Sequence, residues 1–386
     1  MDASFNERAA ASALLKVFGF TPKTANALCD ALGCAEAVYS LGEGELAGLV
    51  GAKIRSKIRR QDFDEAKDEL KRLYAKGISF VARSEAAYPA LLRDCEDAPA
   101  GLYVRSATAP DELFASDRRS LAVVGTRDAD LYGLECCERI VRTVAGCSPP
   151  CVIVSGLALG IDVRAHRSAL DSGIPTIAVL PTGIDSVYPY RHRDIAERIA
   201  TTPGCALITD YPPCTAPLAV NFIRRNRIIA GLSASTVLVE SRRSGGGILT
   251  ARLASGYGRG VFCVPGRIGD ARSEGCNLLI REQLAETISD FDSLCTQLGM
   301  GTSPGSGKGR RSLAEAIREK YGRENCSLPE TIAGLVAASR GITPEELCRE
   351  TGERYETVLS AVLTLQNDGF LEMDLLQRCC INVNFV

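Results

Sequence analysis

The 386-residue chain has no tryptophan, three methionines, two histidines and no Cys-x-x-Cys pair. Structural zinc sites need four cysteine or histidine ligands at short paired spacings, and His166 and His192 cannot complete such a set. The sequence therefore predicts no metal site. The sixteen cysteines are spread over 386 residues, so we expect reduced thiols rather than a disulfide framework. Cys136-Cys137 and Cys379-Cys380 are predicted to be small apolar side chains in a helix and a strand.

Long hydrophobic segments are also missing. No apolar run approaches the roughly 18 residues that would span a bilayer. The opening MDASFNERAAASALLKVFGF is interrupted by Asn6, Glu7 and Arg8 instead of being arranged as a signal peptide. We therefore expect a cytoplasmic protein without a membrane partner. Its length exceeds that of one ordinary hydrophobic core, which predicts two or three domains.

Lysine is absent between Gly77 and Gly307, where every basic residue is arginine. Arginine suits bidentate phosphate contacts and stacking on bases. Residues 221–281 carry ten arginines against three acidic residues, a local net charge of +7 in a chain whose net charge is −2. This segregation predicts a phosphate-bearing ligand. The alternative is that these arginines pair with carboxylates elsewhere in a near-neutral domain.

The first 79 residues alternate apolar helical stretches with glycine turns, which predicts a small helical domain. Turns such as Phe18-Gly19-Phe20-Thr21 look like those of sterile-alpha-motif (SAM) or helix-hairpin-helix (HhH) domains, which hold a DNA backbone through exposed amides. Glycine also ends ordinary helices, so this pattern is a weak indicator.

Residues 80–295 change to short apolar runs that alternate with helical stretches. The runs are rich in valine and isoleucine, and most are bounded by glycine or proline; they occupy 120–125, 151–156, 176–181, 205–209, 235–240 and 260–265. Helices are predicted between them, at 131–145, 162–172, 192–201, 222–231 and 247–257. This alternation predicts the α/β class, with a Rossmann-like, doubly wound and mainly parallel sheet. Ligands of such folds bind at the carboxyl ends of the strands.

A Gly/Ser/Pro-rich basic stretch, residues 296–311, predicts a flexible linker. The following module, residues 312–386, has seven basic and twelve acidic residues, a net charge of −5. Thr343-Pro344-Glu345-Glu346 is a helix start with a capping box, and a second helix is predicted from Tyr355 to Asn367. Two strand-like runs follow Gly369, so the module is predicted to be a winged helix.

Small residues follow the first two predicted strands of the sheet, as Gly125-Thr126-Arg127 and Ser155-Gly156. Glycine lets the backbone approach a phosphate closely, and amides at the start of the next helix donate to the anion. The spacing is not GxGxxG, and no acidic residue ends the second strand to bind a ribose. The sequence therefore predicts phosphate binding without an NAD cofactor.

The segment Asn221 to Ser233 places Arg224, Arg225 and Arg227 beside Phe222. Cations that neutralise a nucleic-acid backbone and an aromatic ring that stacks on a base are the usual components of single-strand binding. The alternative interpretation makes Phe222 a core residue and the arginines a solvated helix face.

The motifs GTR, SGLALGID, AVLPTGIDSVYP, NFIRRNRIIAGLS, LVE with SGGGILTA, VFCVPG and SEGCNLLI occur in this order. Together they resemble the DNA-processing protein A family (DprA, also called Smf) over roughly residues 80–290. The terminal modules look like the corresponding, more variable domains of that family. Three positions depart from its pattern: Ile223 replaces the usual proline, Pro181 a frequent glycine and Asp210 a frequent glutamate.

The resemblance implies a homodimer, formed through the Rossmann-like domain, that binds single-stranded DNA and loads the RecA recombinase, as in natural transformation. It implies no catalytic residue and no cofactor. Arg127 and the strand-end amides would hold phosphates, and Phe222 would stack on a base. The DNA-binding residues expected from this likeness and from the basic segment are Gly125, Thr126, Arg127, Ser155, Gly156, Phe222, Arg224, Arg225, Asn226, Arg227, Ser244 and Gly245.

Two other functions compete with this interpretation. Ser244 to Ala251 superficially resembles the PGGxGTxxE motif of LOG-type nucleotide hydrolases, but no glutamate follows within a turn of Thr250. A winged-helix transcription regulator would read duplex DNA through Tyr355 to Asn367, yet that helix contains no lysine or arginine. The acidity of residues 312–386 favours protein contact or regulation instead.

Overall fold

The computed structural model describes residues 3–19, 21–115, 118–147, 151–300, 313–339, 341–374 and 377–381. The chain divides into two compact units, Met1–Thr302 and Ser303–Val386. Within the described residues, no helix combines the length and the apolarity needed to cross a membrane.

The amino-terminal part of the first unit is helical, as predicted. Its helices are α1 Ala3–Phe18, α2 Lys23–Leu32, α3 Ala35–Ser40, α4 Glu43–Val50, α5 Ala52–Arg55 and α6 Arg60–Tyr74. Small buried side chains on α1, including Ala9 and Ala13, let this helix approach its neighbours closely. The helices share one hydrophobic core with Phe80 and Leu207 of the sheet. The bundle therefore packs into the same compact unit as the sheet instead of forming a separate unit that ends at residue 79. Its SAM or HhH character stays a prediction.

A nine-stranded sheet forms the centre of this unit. Its strands are β1 Ile78–Ala82, β2 Gly101–Arg105, β3 Ser120–Val124, β4 Val152–Ser155, β5 Thr176–Val179, β6 Ala206–Thr209, β7 Ser235–Leu238, β8 Gly260–Cys263 and β9 Glu286–Thr287. Their spatial order is β1-β2-β6-β5-β4-β3-β7-β8-β9. All six predicted strands are present and pair in parallel. Strands β1, β2 and β9 were not predicted; β1 and β2 pair antiparallel with each other, and β2 also pairs antiparallel with β6.

Helices cover both faces of the sheet, as a doubly wound fold requires. They are α7 Ala90–Arg93, α8 Pro110–Leu113, α9 Leu131–Ala145, α10 Ile161–Asp171, α11 Arg193–Thr201, α12 Ala219–Gly231, α13 Gly246–Gly256, α14 Glu274–Arg281 and α15 Leu294–Gln297. Ile140 of α9 and Ala165 of α10 pack on one face, whereas Ile228 of α12 and Ala254 of α13 pack on the other. The α/β class and the mainly parallel sheet are confirmed.

The chain reverses its direction of travel across the sheet at β3. Strands β4, β5 and β6 lie to one side of β3, and β7, β8 and β9 lie to the other. In doubly wound folds this switch point opens a crevice at the carboxyl ends of the two central strands. The topology therefore places a ligand crevice between the loops that follow β3 and β7.

The predicted linker begins too early. Leu298 and Met300 are buried against the core that also contains Val144. Because apolar side chains are held in the core up to Met300, the ordered unit extends past residue 296. The rest of the predicted linker, residues 301–311, lies outside the described residues.

The second unit contains α16 Leu313–Asn325, α17 Ser327–Ala338, α18 Pro344–Thr351, α19 Tyr355–Asn367 and a hairpin of β10 Leu371–Met373 with β11 Cys379–Ile381. The capping box at Thr343 is formed as expected: the Glu346 amide donates to Thr343 Oγ1, and the Thr343 amide donates to Glu346 Oε2. Gly352 ends α18 in a left-handed conformation. The winged-helix assignment itself stays a prediction.

Candidate nucleic-acid interface

A cleft of about 550 Å³ opens at the carboxyl edge of the sheet, between the ends of β3 and β7. This is the crevice that the topology predicts. Its lining combines a backbone turn after β3, one face of α12 and the glycine-rich start of α13. Of the predicted site residues, it includes Gly125, Thr126, Arg127, Phe222, Arg225, Asn226 and Gly245.

The turn after β3 is held by the neighbouring strand β7. A side chain on Gly125 would place its Cβ 2.9 Å from the Glu240 carbonyl oxygen, so only glycine lets the strand ends approach this closely. The Thr126 amide donates to the same carbonyl at 2.7 Å. This amide is already used to join the two strand ends, which disfavours its predicted role of holding a phosphate; Thr126 itself lines the cleft, and a DNA contact there stays a prediction.

Ser155 and Gly156 lie beneath the surface. The Ser155 hydroxyl is fully buried and donates to the Val123 carbonyl at 2.6 Å. The Gly156 amide donates to Asp162 Oδ2 at 3.2 Å. These residues fix the end of β4 through internal hydrogen bonds, which disfavours both predicted phosphate contacts.

Arg225 lines the cleft but is almost fully buried, which disfavours its predicted contact with DNA. It is 3% exposed, and its Nη1 donates to the Val179 carbonyl at 2.9 Å. Burial lowers the pKa of its guanidinium to about 10, with Asp162 opposing that shift and Arg127 adding to it. A Cβ on Gly156 would lie 1.6 Å from Arg225 Nη1. Glycine is thus required at position 156 to accommodate this arginine, and not to admit a phosphate.

Arg227 is likewise structural. Its guanidinium forms a buried ion pair with Asp210 and donates to the Asp97 carbonyl. These contacts tie α12 to the end of β6 and to the loop before β2. A carboxylate inside the fold already neutralises its charge, which disfavours the phosphate contact that the sequence predicts at Arg227.

Phe222 and Arg127 meet in the cleft. The Arg127 guanidinium carbon lies 4.7 Å from the centroid of the Phe222 ring, a cation–π distance. The Tyr188 ring contacts Phe222 edge to face at a centroid distance of 5.4 Å. Phe222 is half-buried and does not belong to the hydrophobic core clusters, which disfavours the core interpretation. The arrangement offers an aromatic surface next to an exposed cation.

The rest of the RRNR segment divides by helical geometry. Arg224 is exposed on α12, while Arg225 and Arg227 face inward. Asn226 is half-buried, and its amide nitrogen lies 3.4 Å from the Gly246 carbonyl, where it links α12 to α13. Ile223, the departure from the family pattern, is 56% exposed at the edge of the cleft.

The glycine-rich segment before α13 supplies an uncapped helix start. Gly245 is the N-cap residue and offers no side-chain oxygen to the first turn. The amides of a first helical turn have no acceptor within the helix, and the helix dipole favours an anion there. Gly245 and Gly246 line the cleft, whereas the predicted Ser244 is exposed outside its lining.

Three residues of this region escaped the sequence-based site prediction: Tyr188, Arg242 and Glu240. Tyr188 stands in the family-like stretch AVLPTGIDSVYP, so its motif was visible although its contact with Phe222 was not. Arg242 lines the cleft after β7. Glu240 is buried, and its Oε2 accepts the Asp130 amide at 3.1 Å. Burial, with repulsion from Asp130, raises the pKa of Glu240 to about 7.

Comparisons with known proteins agree with this geometry. The family described as DNA recombination-mediator protein A matches residues 79–299, more than half of the chain. A putative DNA processing protein DprA from Mycobacterium tuberculosis is 32% identical over 345 residues, 83% of this chain and 84% of that protein. Protein Smf from Escherichia coli is 40% identical over 214 residues, 55% of each chain.

Solved structures give the same result. DNA processing protein A from Streptococcus pneumoniae aligns with a TM-score of 0.60 and 30% identity, covering 74% of this chain and 95% of that one. The protein of the same name from Helicobacter pylori, whose structure describes a single-stranded DNA binding mode, aligns with a TM-score of 0.51 and 27% identity over 57% of this chain and 96% of its own. The resemblance drawn from the motifs is confirmed, and the chain belongs to the DNA recombination-mediator protein A family.

Proposed function

We propose that this protein binds single-stranded DNA in the cleft between the ends of β3 and β7, and that it transfers the strand to the RecA recombinase. The observation that carries the proposal is the cluster of Arg127, Phe222 and Tyr188 in that cleft. An exposed cation beside aromatic rings suits a ligand that has phosphates and unpaired bases. Duplex DNA keeps its bases stacked inside the helix, so the rings favour a single strand.

The charges around the cluster favour a phosphate backbone. Arg127 and Arg242 line the cleft, and Arg224 is exposed on the adjoining helix α12. The uncapped start of α13 adds backbone donors and a favourable dipole. Arg225 lines the cleft but is 3% exposed, and Arg227 is buried, so we assign neither residue a DNA contact. The proposed DNA contacts are therefore fewer than the sequence indicates. They come from the loops after β3 and β7 and from α12.

The finer functional assignments extend this proposal. The family description as recombination mediators supports a RecA partner, and the H. pylori relative supports DNA as the ligand. A homodimer through the Rossmann-like unit, and a role in natural transformation, are proposed from the family resemblance. Exposed apolar side chains of this unit, such as Ile268, provide surface for a protein contact. We assign the second unit a winged-helix fold and a regulatory or protein-contact role, since α19 carries no basic residue.

An enzymatic role has one specific observation in its favour. Glu240 follows β7, and burial raises its pKa to about 7, the range suited to acid–base catalysis. Its side chain is buried, however, and it holds the loop after β3 through the Asp130 amide. We propose that it positions this loop without catalysing a reaction. Release of phosphate or base from nucleoside monophosphates by the wild type, lost in Glu240→Gln, would instead support a LOG-type hydrolase.

Binding of fluorescent oligonucleotides across a salt series tests the proposed function. We expect single strands to bind more tightly than duplexes of equal length at every salt concentration. The logarithm of the affinity should fall linearly with the logarithm of salt, by about 0.7 for each phosphate contacted. Assembly of RecA on single strands coated with a single-strand binding protein then tests the transfer step. Equal affinity for duplexes, or none for single strands, would contradict the proposal.

A further inference from the structure

Three charged side chains meet at the rim of the cleft, beyond the predicted site residues. Asp128 follows Arg127 in the loop after β3, whereas Arg242 and Arg272 come from the loops after β7 and β8. Asp128 Oδ2 lies 3.2 Å from Arg272 Nη2 and 3.7 Å from Arg242 Nη2. Two guanidinium groups from neighbouring strand ends thus converge on one carboxylate oxygen.

Arg242 and Arg272 form an anion-binding site that the carboxylate of Asp128, from the same chain, already occupies. Guanidinium groups bind carboxylate and phosphate oxygens with the same planar donor pattern. The Nε atom of Arg272 is buried and lacks a hydrogen-bond partner within the described part of the chain, so the site holds a donor that Asp128 does not use. A phosphate group carries more acceptor oxygens than the single carboxylate oxygen that both arginines now share.

Other carboxylates face the same arginines and limit their charge. Asp130, Glu240 and Asp270 act electrostatically in this neighbourhood, and the Asp270 carboxylate accepts the Arg272 amide at 2.9 Å. Asp128 is the carboxylate that forms ion pairs with both arginines. Its removal therefore changes the charge of this site more directly than removal of the others.

The ion pairs are open to solvent. The side chains of Asp128, Arg242 and Arg272 are 69%, 56% and 36% exposed. Water and salt screen such pairs, which therefore contribute little to stability. Asp128 can consequently leave the two arginines at small cost when a competing anion arrives.

We propose that Asp128 is an internal competitor of DNA: it occupies a second phosphate site formed by Arg242 and Arg272, and a backbone phosphate of the bound single strand displaces it. The inference rests on the proposed function, since it needs the strand to enter the adjoining cleft. Arg127, Arg242 and Arg272 follow the carboxyl ends of β3, β7 and β8. A single DNA strand that crosses these three ends therefore reaches both Arg127 and the site formed by Arg242 and Arg272. Asp128 thereby weakens binding and reduces its dependence on salt.

Substitution of Asp128 by asparagine tests the inference. Asp128→Asn should bind single-stranded DNA more tightly than the wild type, with a salt slope steeper by about 0.7. That slope corresponds to a gain of about eightfold on going from 1 M to 0.05 M salt. Asp128→Ser, which removes the same charge, should behave alike. The matched control is Asp171→Asn, because Asp171 is 63% exposed, pairs with Arg198 and ends α10, whose eleven residues lead away from the cleft.

Variants without Arg272 locate the effect. In an Arg272→Ala background, the gain from Asp128→Asn should shrink to less than half, because one half of the phosphate site is missing. Unchanged or weaker binding by both Asp128 variants, in a wild type that binds single strands through Arg127, would overturn this inference alone. Failure of the wild type itself to bind would overturn the proposed function with it. An equal gain in affinity from Asp171→Asn would show that the tighter binding comes from the change in net charge alone, and it would also overturn the inference.

Discussion

Arg227→Ala should destabilise the fold severely, although Arg227 lies in the basic segment that the sequence assigns to DNA. Its guanidinium is buried between the Asp210 carboxylate and the Asp97 carbonyl. Removal of one partner from a buried ion pair leaves an uncompensated charge and costs about 3–5 kcal/mol. For a unit of about 300 residues, a loss of that order lowers the melting temperature by roughly 5–8 °C.

The assay is thermal unfolding followed by far-ultraviolet circular dichroism, because the chain has no tryptophan to report by fluorescence. Arg224→Ala is the matched control, since it removes the same side chain from the exposed face of the same helix. The control should keep the wild-type melting temperature and lose single-strand affinity instead. Replacement of both Arg227 and Asp210 by apolar residues should recover much of the lost stability.

A wild-type melting temperature for Arg227→Ala, together with weaker DNA binding and a smaller salt slope, would refute a structural role for Arg227. That pattern would mean that the guanidinium faces the ligand in solution. A large drop in melting temperature for Arg224→Ala would contradict the assignment of Arg224 to the exposed face of α12.

Gly156→Ala should lower both stability and DNA binding, since its Cβ would overlap Arg225 Nη1, whereas Gly48→Ala has open space within 4 Å and should be neutral or stabilising by thermal unfolding. The pKa of Glu240 is raised from 4.5 to about 7 in the folded state, so the unfolded chain binds fewer protons than the folded chain between pH 4.5 and pH 7. The free energy of unfolding of the wild type should therefore fall by roughly 1–3 kcal/mol as pH rises through this range. In Glu240→Gln, urea unfolding at pH 5 and at pH 8 should give nearly equal free energies. Deletion of residues 312–386 should leave single-strand affinity within about threefold of the wild type, because it removes a net charge of −5 and no basic recognition helix; a loss above tenfold by a folded truncated protein would place that unit in the DNA site.

Strand positions were predictable because strands that are buried on both faces of a parallel sheet consist of short, nearly continuous apolar runs. Runs such as 120–125 and 235–240 are apolar, short and bounded by glycine or by a charged residue, and each forms a strand. The antiparallel strands β1 and β2 were not predictable in this way, because they pair outside the alternation of strands and helices and so lack its signature. Leu298 and Met300 were also assigned wrongly, because the glycine-rich composition after residue 296 predicts a linker, whereas these two side chains pack into the core.

The roles of the arginines could not be predicted from spacing alone. Arg224, Arg225 and Arg227 are equivalent in composition, yet their burial depends on partners far away in the sequence. Arg227 meets Asp210 because α12 returns across the end of β6, and Arg225 fits only because position 156 has no side chain. Contacts across the fold thus decide which cations face a ligand.

The most direct test of the central claim is the paired response of Phe222→Ala and Arg127→Ala in a single-strand binding assay over a range of salt concentrations. Loss of a stacking ring should weaken binding by roughly 1–3 kcal/mol without changing the salt slope. Loss of the cation should reduce the slope by about 0.7 as well as the affinity. Both variants should retain the wild-type melting temperature within a few degrees. Folded variants that bind single strands with wild-type affinity and slope would contradict a DNA site in this cleft.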